Sequence, residues 1–361
     1  MPARTLLLCL VCLPAAGRQL ELLDEPNAAM PPPEVVSLDE RVGLMEAFAD
    51  RERYEAQSVT IYWDNDGTYP NLFSNTDRYY TSGQGIEVGF AFDGAGIADR
   101  LAPGWEEPRF GVGLSLEQHI YTSEYITQVN PPLNDHPYGG WLSLNLAFQR
   151  ADATRHDHFE LGLGLTGQWS GAEAVQKFIH SVVPDQEDPE GWGTQQASEL
   201  AVNFTYRRTW RTEKGRVFGA EFDMLPTVGF DLGNVFIRAR GGAMVRVGMV
   251  LPDDFGPASL LGFKDHTAGA FADPCRDWSL YGYLSVNADA VARNMFLDGN
   301  TFADSRSTDR EDLVGRLTVG VVARWKSAYL GWAQTWETKT FEAQPNGQTY
   351  GSVVLGCQWR F

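Results

Sequence analysis

The chain has 361 residues and a formal net charge of −18, from 47 acidic and 29 basic side chains. This excess of negative charge excludes nucleic acid as a partner, because the phosphate backbone would be repelled. We expect no transmembrane helix, since no apolar run approaches the roughly 20 residues that such a helix needs.

Residues 1–17 have the features of a secretory signal peptide. The basic Arg4 precedes a short apolar core and three small residues, Ala15, Ala16 and Gly17. This order of charge, apolar core and small residues is typical of a cleaved leader. We therefore predict cleavage near Gly17.

The next segment, residues 18–56, is predicted to be a periplasmic tether. It is acidic and contains the run Pro31–Pro33. One short helix is predicted within it, over Asp39–Ala56. The remaining chain, residues 57–361, is predicted to be the folded domain.

This domain is predicted to be all-β, because apolar residues alternate with small or polar ones at a period of two. In residues 85–92, for example, isoleucine, valine and two phenylalanines alternate with glycine, glutamate and alanine. The same alternation recurs in residues 142–149 and 159–166. Each such strand would have one apolar face and one face of small or polar side chains.

The end of the chain decides between two all-β architectures. A secreted sandwich would alternate in the same way, but its polar face would not need so many glycines. The last strand ends on Phe361 and carries an apolar face, as the terminal strand of bacterial outer-membrane barrels does. We therefore predict a transmembrane antiparallel β-barrel, because only a closed barrel of strands can span a membrane without helices.

We predict about twelve strands, so that an even number leaves both termini in the periplasm and the loops after odd-numbered strands face outward. The predicted strands are 57–64, 82–93, 109–120, 139–150, 158–167, 196–212, 216–230, 235–249, 277–291, 312–326, 328–341 and 349–361. The predicted outward loops are 65–81, 121–138, 168–195, 231–234, 292–311 and 342–348. The periplasmic connection 250–276 contains Asp253, Asp254 and His266 without evident partners, and we expect a solvated loop there.

Oxygen-bearing side chains are concentrated at both ends of the first outward loop. It opens with Asp64, Asn65 and Asp66 and closes with residues 76–83. Such hard ligands can hold calcium, which takes about 6–8 oxygens. A turn rich in Asp and Asn has the same composition, so both interpretations stay open at this point.

The third outward loop contains a polar helical pair, Gln176 and His180. Side chains four residues apart share one helix face, so the amide can orient an imidazole that takes a proton near neutral pH. Gln195 and Glu199 share strand parity, and both could face this helix. A helix that only fills a long loop is the structural alternative. No serine has a G-x-S-x-G setting, so water activated by the histidine, with a metal ion stabilising the oxyanion, is the simpler mechanism.

Six motifs occur together between about residue 57 and Phe361. In chain order they are Asn65-Asp66, Thr76-Asp77-Arg78-Tyr79-Tyr80-Thr81-Ser82-Gly83, Gln176 with His180, Gly191-Trp192 with Gln195 and Glu199, Leu297-Asp298-Gly299-Asn300, and Phe341-Glu342-Ala343-Gln344. Jointly they resemble the outer-membrane lipid A 3′-O-deacylase family. The resemblance implies a twelve-stranded barrel with a calcium-dependent site between the barrel wall and a loop helix, at the exterior face of the bacterial outer membrane.

The resemblance also implies roles for individual residues. His180 would be the general base for water, Gln176 would support it, and Asn65 and Thr81 would line the site. The reaction would be hydrolysis of an ester-linked acyl chain of lipid A, the lipid anchor of lipopolysaccharide, by a mechanism like that of secreted phospholipases A2.

The implied metal is calcium, with Asp66 as its ligand. To this set we add Glu199 as a second metal ligand. Two positions depart from the family pattern. The second outward loop, residues 121–138, lacks the lysine that assists the oxyanion, and Gln186 stands where an acidic residue is expected.

Two other functions fit an outer-membrane barrel. An outer-membrane phospholipase A would also use calcium, but it would be expected to present a serine nucleophile near its histidine. A pore or an adhesion surface would need no catalytic residues. Twelve strands make a narrow lumen, and the inward face is small and polar rather than charged, which favours the enzyme.

Overall fold

The structure is a computed structural model that describes residues 56–67, 69–73, 76–92, 98–183, 186–257 and 278–360. The predicted signal peptide, the predicted tether up to residue 55, and His266 lie outside the described residues. No helix within these ranges is long and apolar enough to cross a membrane.

The described strands form one antiparallel sheet that closes on itself. The strands are β1 (Ala56–Asn65), β2 (Tyr79–Phe92), β3 (Arg109–Thr122), β4 (Gly139–Ala151), β5 (Arg155–Thr166), β6 (Leu200–Trp210), β7 (Gly215–Val217), β8 (Ala220–Gly233), β9 (Phe236–Met249), β10 (Trp278–Asn294), β11 (Leu313–Trp325), β12 (Ala328–Glu337) and β13 (Gln348–Arg360). Each wall strand pairs with its neighbours along the chain, and the pairings of β1 with β13 and of β6 with β8 complete the ring. The short β7 pairs only with β8, so twelve strands form the wall and the predicted barrel is confirmed.

Within the part of the chain that the structure describes, three helices lie in connections between the strands. They are α1 (Ala98–Leu101), α2 (Ala172–Val182) and α3 (Met295–Asp298). Two short 3₁₀ turns, Gly167–Ser170 and Gly191–Thr194, flank α2. The helix predicted in the third outward loop is therefore present.

One predicted strand begins later than its sequence suggested. The stretch 196–212 forms a strand only from Leu200. Gln196 donates from Nε2 to the carbonyl oxygen of Met295 at 2.8 Å. This residue is therefore bonded to the loop after β10 instead of to a neighbouring strand.

Side chains along the wall alternate between the lumen and the outer surface, as the pleat of a strand requires. On β1, Ile61 and Trp63 are exposed on the outside, whereas Thr60, Tyr62 and Asp64 are buried on the lumen side. Apolar residues thus face outward at regular intervals. This is the arrangement that a bilayer-spanning wall needs.

On the lumen side of the wall, ion pairs connect neighbouring strands, so the inward face is charged there and not only small and polar as predicted. Arg316 donates to Asp289 at 2.7 Å and to Glu337 at 2.5 Å. Arg240 donates to the same Asp289 at 3.1 Å. All four side chains are buried, so each buried charge has a partner of opposite sign.

Residues 250–257, after β9, fold back against the end of the barrel, which corrects the prediction of a solvated loop for this part of 250–276. Arg246 of β9 is 0 % exposed, donates to Asp223 at 2.6 and 2.9 Å, and also contacts Asp254. Asp253 pairs with Lys214 at 2.7 Å. The sequence did not show these partners, because Arg246 is placed on the lumen side only by the register of β9, and Lys214 lies in the turn between β6 and β7.

Arg246→Ala should destabilise this end of the barrel, because it leaves the carboxylates of Asp223 and Asp254 buried without their cation. Loss of one partner of a buried pair costs about 3–5 kcal/mol. We expect a lower urea midpoint, followed by tryptophan fluorescence in detergent micelles. We also expect faster proteolysis near Leu251 and Phe255, which are now buried.

Arg216→Ala is the matched control. Its side chain is 78 % exposed and lies 3.4 Å from Glu221. An exposed pair contributes little, so the midpoint should hardly change. Equal midpoints for the two variants would show that the Arg246 pairs do not hold this segment.

Candidate functional site

Helix α2 lies against the outer surface of β3 and β4. Its first residue, Ala172, is buried, and a Cβ on Gly140 of β4 would come within 2.3 Å of the Ala172 Cβ. A residue without a side chain is therefore needed at this close approach. From β3, Gln118 donates to the carbonyl oxygen of Ser170 at 2.7 Å. This packing places the inward face of α2 over the outer wall.

Asp77 joins the two residues of the predicted helical pair. Nε2 of His180 lies 2.7 Å from Oδ2 of Asp77, and Nε2 of Gln176 donates to Oδ1 of the same carboxylate at 3.0 Å. The indole of Trp192 donates to Oε1 of Gln176 at 2.8 Å. Asp77 was part of a sequence motif but was not predicted as a site residue. Its 99-residue separation from Gln176 hid the contact.

Each ring nitrogen of His180 lies next to a hydrogen-bond acceptor. Nδ1 lies 2.6 Å from the carbonyl oxygen of Glu187, and Nε2 faces the Asp77 carboxylate. Burial lowers the pKa of His180, but the hydrogen bond and the charge of Asp77 oppose it, and the net pKa is raised above its usual value. The arrangement therefore favours a ring that carries both protons.

Asp66 is buried with one carboxylate oxygen unused. Oδ2 accepts from the Thr76 hydroxyl at 2.8 Å and from the Arg78 N–H at 2.9 Å, whereas buried Oδ1 has no hydrogen-bond partner among the residues that the structure describes. Burial, and then the charge of Asp77, raise the pKa of Asp66 well above its usual range. A cation would stabilise such a carboxylate.

A metal ion at this place would need more than carboxylate and imidazole ligands. Within the described ranges, no group of three or more His, Cys, Asp or Glu residues is arranged to hold a metal. Calcium takes about 6–8 oxygen ligands. Hydroxyl, amide, backbone and water oxygens would therefore have to supply most of them. The residues present fit a calcium site through the unpartnered oxygen of Asp66.

Thr81 and Asn65 belong to the same cluster. The hydroxyl oxygens of Thr81 and Thr122 are 2.5 Å apart, and the Thr122 hydroxyl donates to the carbonyl oxygen of Asp77 at 3.3 Å. Asn65 donates to the carbonyl oxygen of Thr81 at 3.3 Å and accepts from the Gly67 N–H at 2.7 Å. Five of the six predicted site residues therefore meet at one place on the outer wall.

Glu199, the sixth, has a different set of contacts. Its carboxylate accepts from the backbone N–H groups of Thr301 and Phe302, each at 3.0 Å. These contacts tie the third outward loop to the loop after β10. The expected shared parity of Gln195 and Glu199 is wrong, because β6 begins only at Leu200.

Arg78 brings a positive charge next to the cluster. Its guanidinium pairs with Glu124 of the second outward loop and lies 5.2 Å from the centre of the Tyr79 ring. Its buried Nε has no hydrogen-bond partner. The loop that lacks the family lysine thus supplies an acidic residue that holds an arginine.

The sequence model of the family described as outer membrane protein LpxR matches residues 40–360. Among solved structures, LpxR from Salmonella typhimurium aligns with a TM-score of 0.66 at 17 % identity, covering 83 % of this chain and 99 % of that one. No curated protein matches the sequence.

Other outer-membrane barrels align less well. The β domain of the Bordetella autotransporter BrkA has a TM-score of 0.42 at 11 % identity, covering 86 % of this chain and 100 % of that one. The NalP translocator domain from Neisseria meningitidis has a TM-score of 0.36 at 10 % identity, covering 90 % and 94 %. Because the family match extends over residues 40–360, this chain belongs to the LpxR family of outer membrane proteins, which is the family its motifs predicted.

Proposed function

We propose that the protein is a lipid A deacylase of the bacterial outer membrane, which hydrolyses an ester-linked 3′-O acyl chain with water as the nucleophile. The observation that carries this proposal is the contact of His180 with Asp77 beside the unpartnered Oδ1 of Asp66, in a chain of the LpxR family. The cluster lies on the outer wall, so a lipid of the outer leaflet can approach it sideways, with the active site facing the exterior.

His180 is the general base in this proposal. Asp77 holds Nε2, which leaves Nδ1 as the nitrogen that takes a proton from water. The carbonyl oxygen of Glu187, 2.6 Å from Nδ1, occupies the position that this water needs, so it has to withdraw before the reaction. Gln176 keeps the Asp77 carboxylate in place.

Calcium is the proposed metal, held by the unpartnered oxygen of Asp66, with Asn65 and Thr81 lining the same space. When bound, it would share the negative charge that develops on the ester carbonyl oxygen. The contacts of Glu199 with the backbone of a neighbouring loop support a role in loop packing, so the proposed ligand set rests on Asp66.

The two alternatives are supported less well. A phospholipase A would be expected to place a serine beside its histidine, whereas the His180 ring contacts a carboxylate and a carbonyl oxygen. A pore would need no catalytic residues, whereas His180 and Gln176 both contact Asp77 on the outer wall.

His180→Ala should lower deacylation by about 10²–10⁴-fold, since general-base catalysis contributes on that order. The measurement is release of fatty acid from lipid A by the purified protein with calcium, followed by mass spectrometry. Lys177→Ala is the matched control, because this side chain is 52 % exposed on the same helix and pairs only with Glu173 at 2.7 Å in the contacts described. An unchanged acylation pattern with folded wild-type protein would refute the proposed function.

Asp77→Asn should change the pH dependence as well as the rate. The base must lose its proton before it can act, so wild-type activity should rise with pH through the raised pKa of His180. Asparagine removes the charge that raises this pKa, so the acid limb of the pH–rate profile should move to lower pH while the maximal rate falls. A lower rate with an unmoved acid limb would limit Asp77 to a structural role.

Calcium removal should stop the reaction. Chelation with EGTA should abolish hydrolysis, and calcium should restore it, whereas magnesium should not, because it demands a smaller octahedral site. Asp66→Asn should raise the calcium concentration needed for half of the maximal rate. Glu199→Gln discriminates between the two sets of ligands, since a similar increase would make Glu199 a ligand and no change would leave it a loop contact. Full activity after exhaustive chelation would exclude the metal.

A further inference from the structure

The tip of the first outward loop, residues 69–73, folds down over the outside of the barrel. Trp332 of β12 donates from its indole to the carbonyl oxygen of Pro70 at 2.9 Å, and the Leu72 N–H donates to Oε1 of Gln334 at 3.2 Å. Gln334 shares the outward parity of the exposed Leu330, yet it is 0 % exposed. The tip covers it.

Asn71 connects this tip to the wall and to the candidate site through hydrogen bonds. Its buried side chain donates to the carbonyl oxygens of Thr349 at 3.1 Å and of Asp66 at 2.8 Å. Beneath it, a Cβ on Gly351 of β13 would come within 2.2 Å of the Pro70 backbone. The tip is therefore a packed part of the structure and is bonded directly to the residue proposed to hold the metal.

The solvent-exposed side of the tip 69–73 is apolar. Tyr69, Leu72 and Phe73 are 71 %, 61 % and 65 % exposed. Below them on the same two strands, Leu330 and Leu355 are also exposed, as lipid-facing residues of the wall. The tip thus continues the lipid-facing surface toward the loop end of the barrel.

Helix α2 presents a second apolar surface on the other side of the candidate site. Ala174, Phe178 and Val182 form one stripe at four-residue spacing, and Phe178 and Val182 are 66 % and 60 % exposed. The neighbouring stripe is polar and contains the ion pair of Glu173 and Lys177. Two exposed stripes of opposite character are typical of a helix that lies at a membrane interface.

We propose that the tip 69–73 and the apolar stripe of α2 are two anchors that insert among the acyl chains of the outer leaflet, one on each side of the candidate site. The strand order β4-β3-β2-β1-β13-β12 places β1 and β2, which lead into the site, between the strands beneath the two anchors. Continuity with the lipid-facing wall identifies the occupant as the acyl layer of the bilayer. The inference depends on the membrane location of the family and not on the reaction.

Spin labels at single cysteines test whether the two anchors insert among the acyl chains. The chain, with its native cysteines replaced by serine, is labelled at Phe73→Cys or Phe178→Cys and reconstituted in dioleoylphosphatidylcholine vesicles. The accessibility of each label to oxygen, which concentrates in lipid, is compared with its accessibility to a water-soluble nickel complex. Leu330→Cys is the lipid reference, and Lys177→Cys, next to Phe178 but on the polar stripe, is the water reference.

Both anchor labels should match Leu330, with oxygen accessibility exceeding nickel accessibility, while Lys177 shows the reverse. A second measurement checks the insertion without cysteine chemistry. Leu72→Ser with Phe73→Ser should reduce binding of the detergent-free protein to preformed vesicles relative to Phe302→Ser, an exposed phenylalanine in the loop after β10. Water-like accessibility at position 73 or 178 would overturn the proposal.

Discussion

Hydrogen bonding of the backbone is the constraint from which the rest of this structure follows. A strand that faces hydrocarbon cannot leave its N–H and C=O groups unpaired, so the sheet has to close. Here β1 pairs with β13 from Ala56↔Arg360 to Asn65↔Gly351, and β6 pairs with β8 at the opposite side of the ring. Closure brings the first outward loop beside the last strand, which allows Asn71 to bond to Thr349.

The same closed wall explains why the candidate site lies outside the barrel. On the lumen side, ion pairs such as Arg316 with Asp289 join neighbouring strands, whereas the outer wall below α2 carries polar side chains, including Gln118 and Thr122. These outward polar groups would be costly in hydrocarbon. Here the carbonyl oxygens of Ser170, in the 3₁₀ turn before α2, and of Asp77, in the first outward loop, accept hydrogen bonds from them, so a polar cluster can persist beside the membrane surface.

Two carboxylates and one imidazole determine the chemistry of this cluster. Asp77 satisfies His180 and Gln176 together, but its charge also raises the cost of ionising the buried Asp66. In the proposed mechanism, a divalent cation held by Asp66 would relieve that conflict, because its positive charge would stabilise the ionised carboxylate. In the proposed mechanism, the charge of Asp77 therefore affects both calcium binding at Asp66 and the pKa of His180.

The alternation of side chains determined the barrel and nearly all of its strands, because each strand has to place apolar residues toward lipid at every second position. Ordered motifs also determined five residues of the cluster, including Asn65, Thr81 and His180. The alternation was wrong where it extended a strand over residues 196–199. The predicted strand 196–212, which included Glu199, begins only at Leu200, because bonds between two loops replace the strand ladder before it.

Only the tertiary structure decided the partners of these residues. Asp77 meets Gln176 across 99 residues, and a register shift between Tyr80 and Ser82 sets Thr81 beside Thr122. Likewise, Arg246 pairs with Asp223 and with Asp254, for which the sequence showed no partner. The two-residue alternation and the motifs indicate which face of a strand or helix a side chain occupies. Distances between side chains depend on strand register, on closure of the ring and on how loops pack over it, and these arise from contacts between segments far apart in the chain.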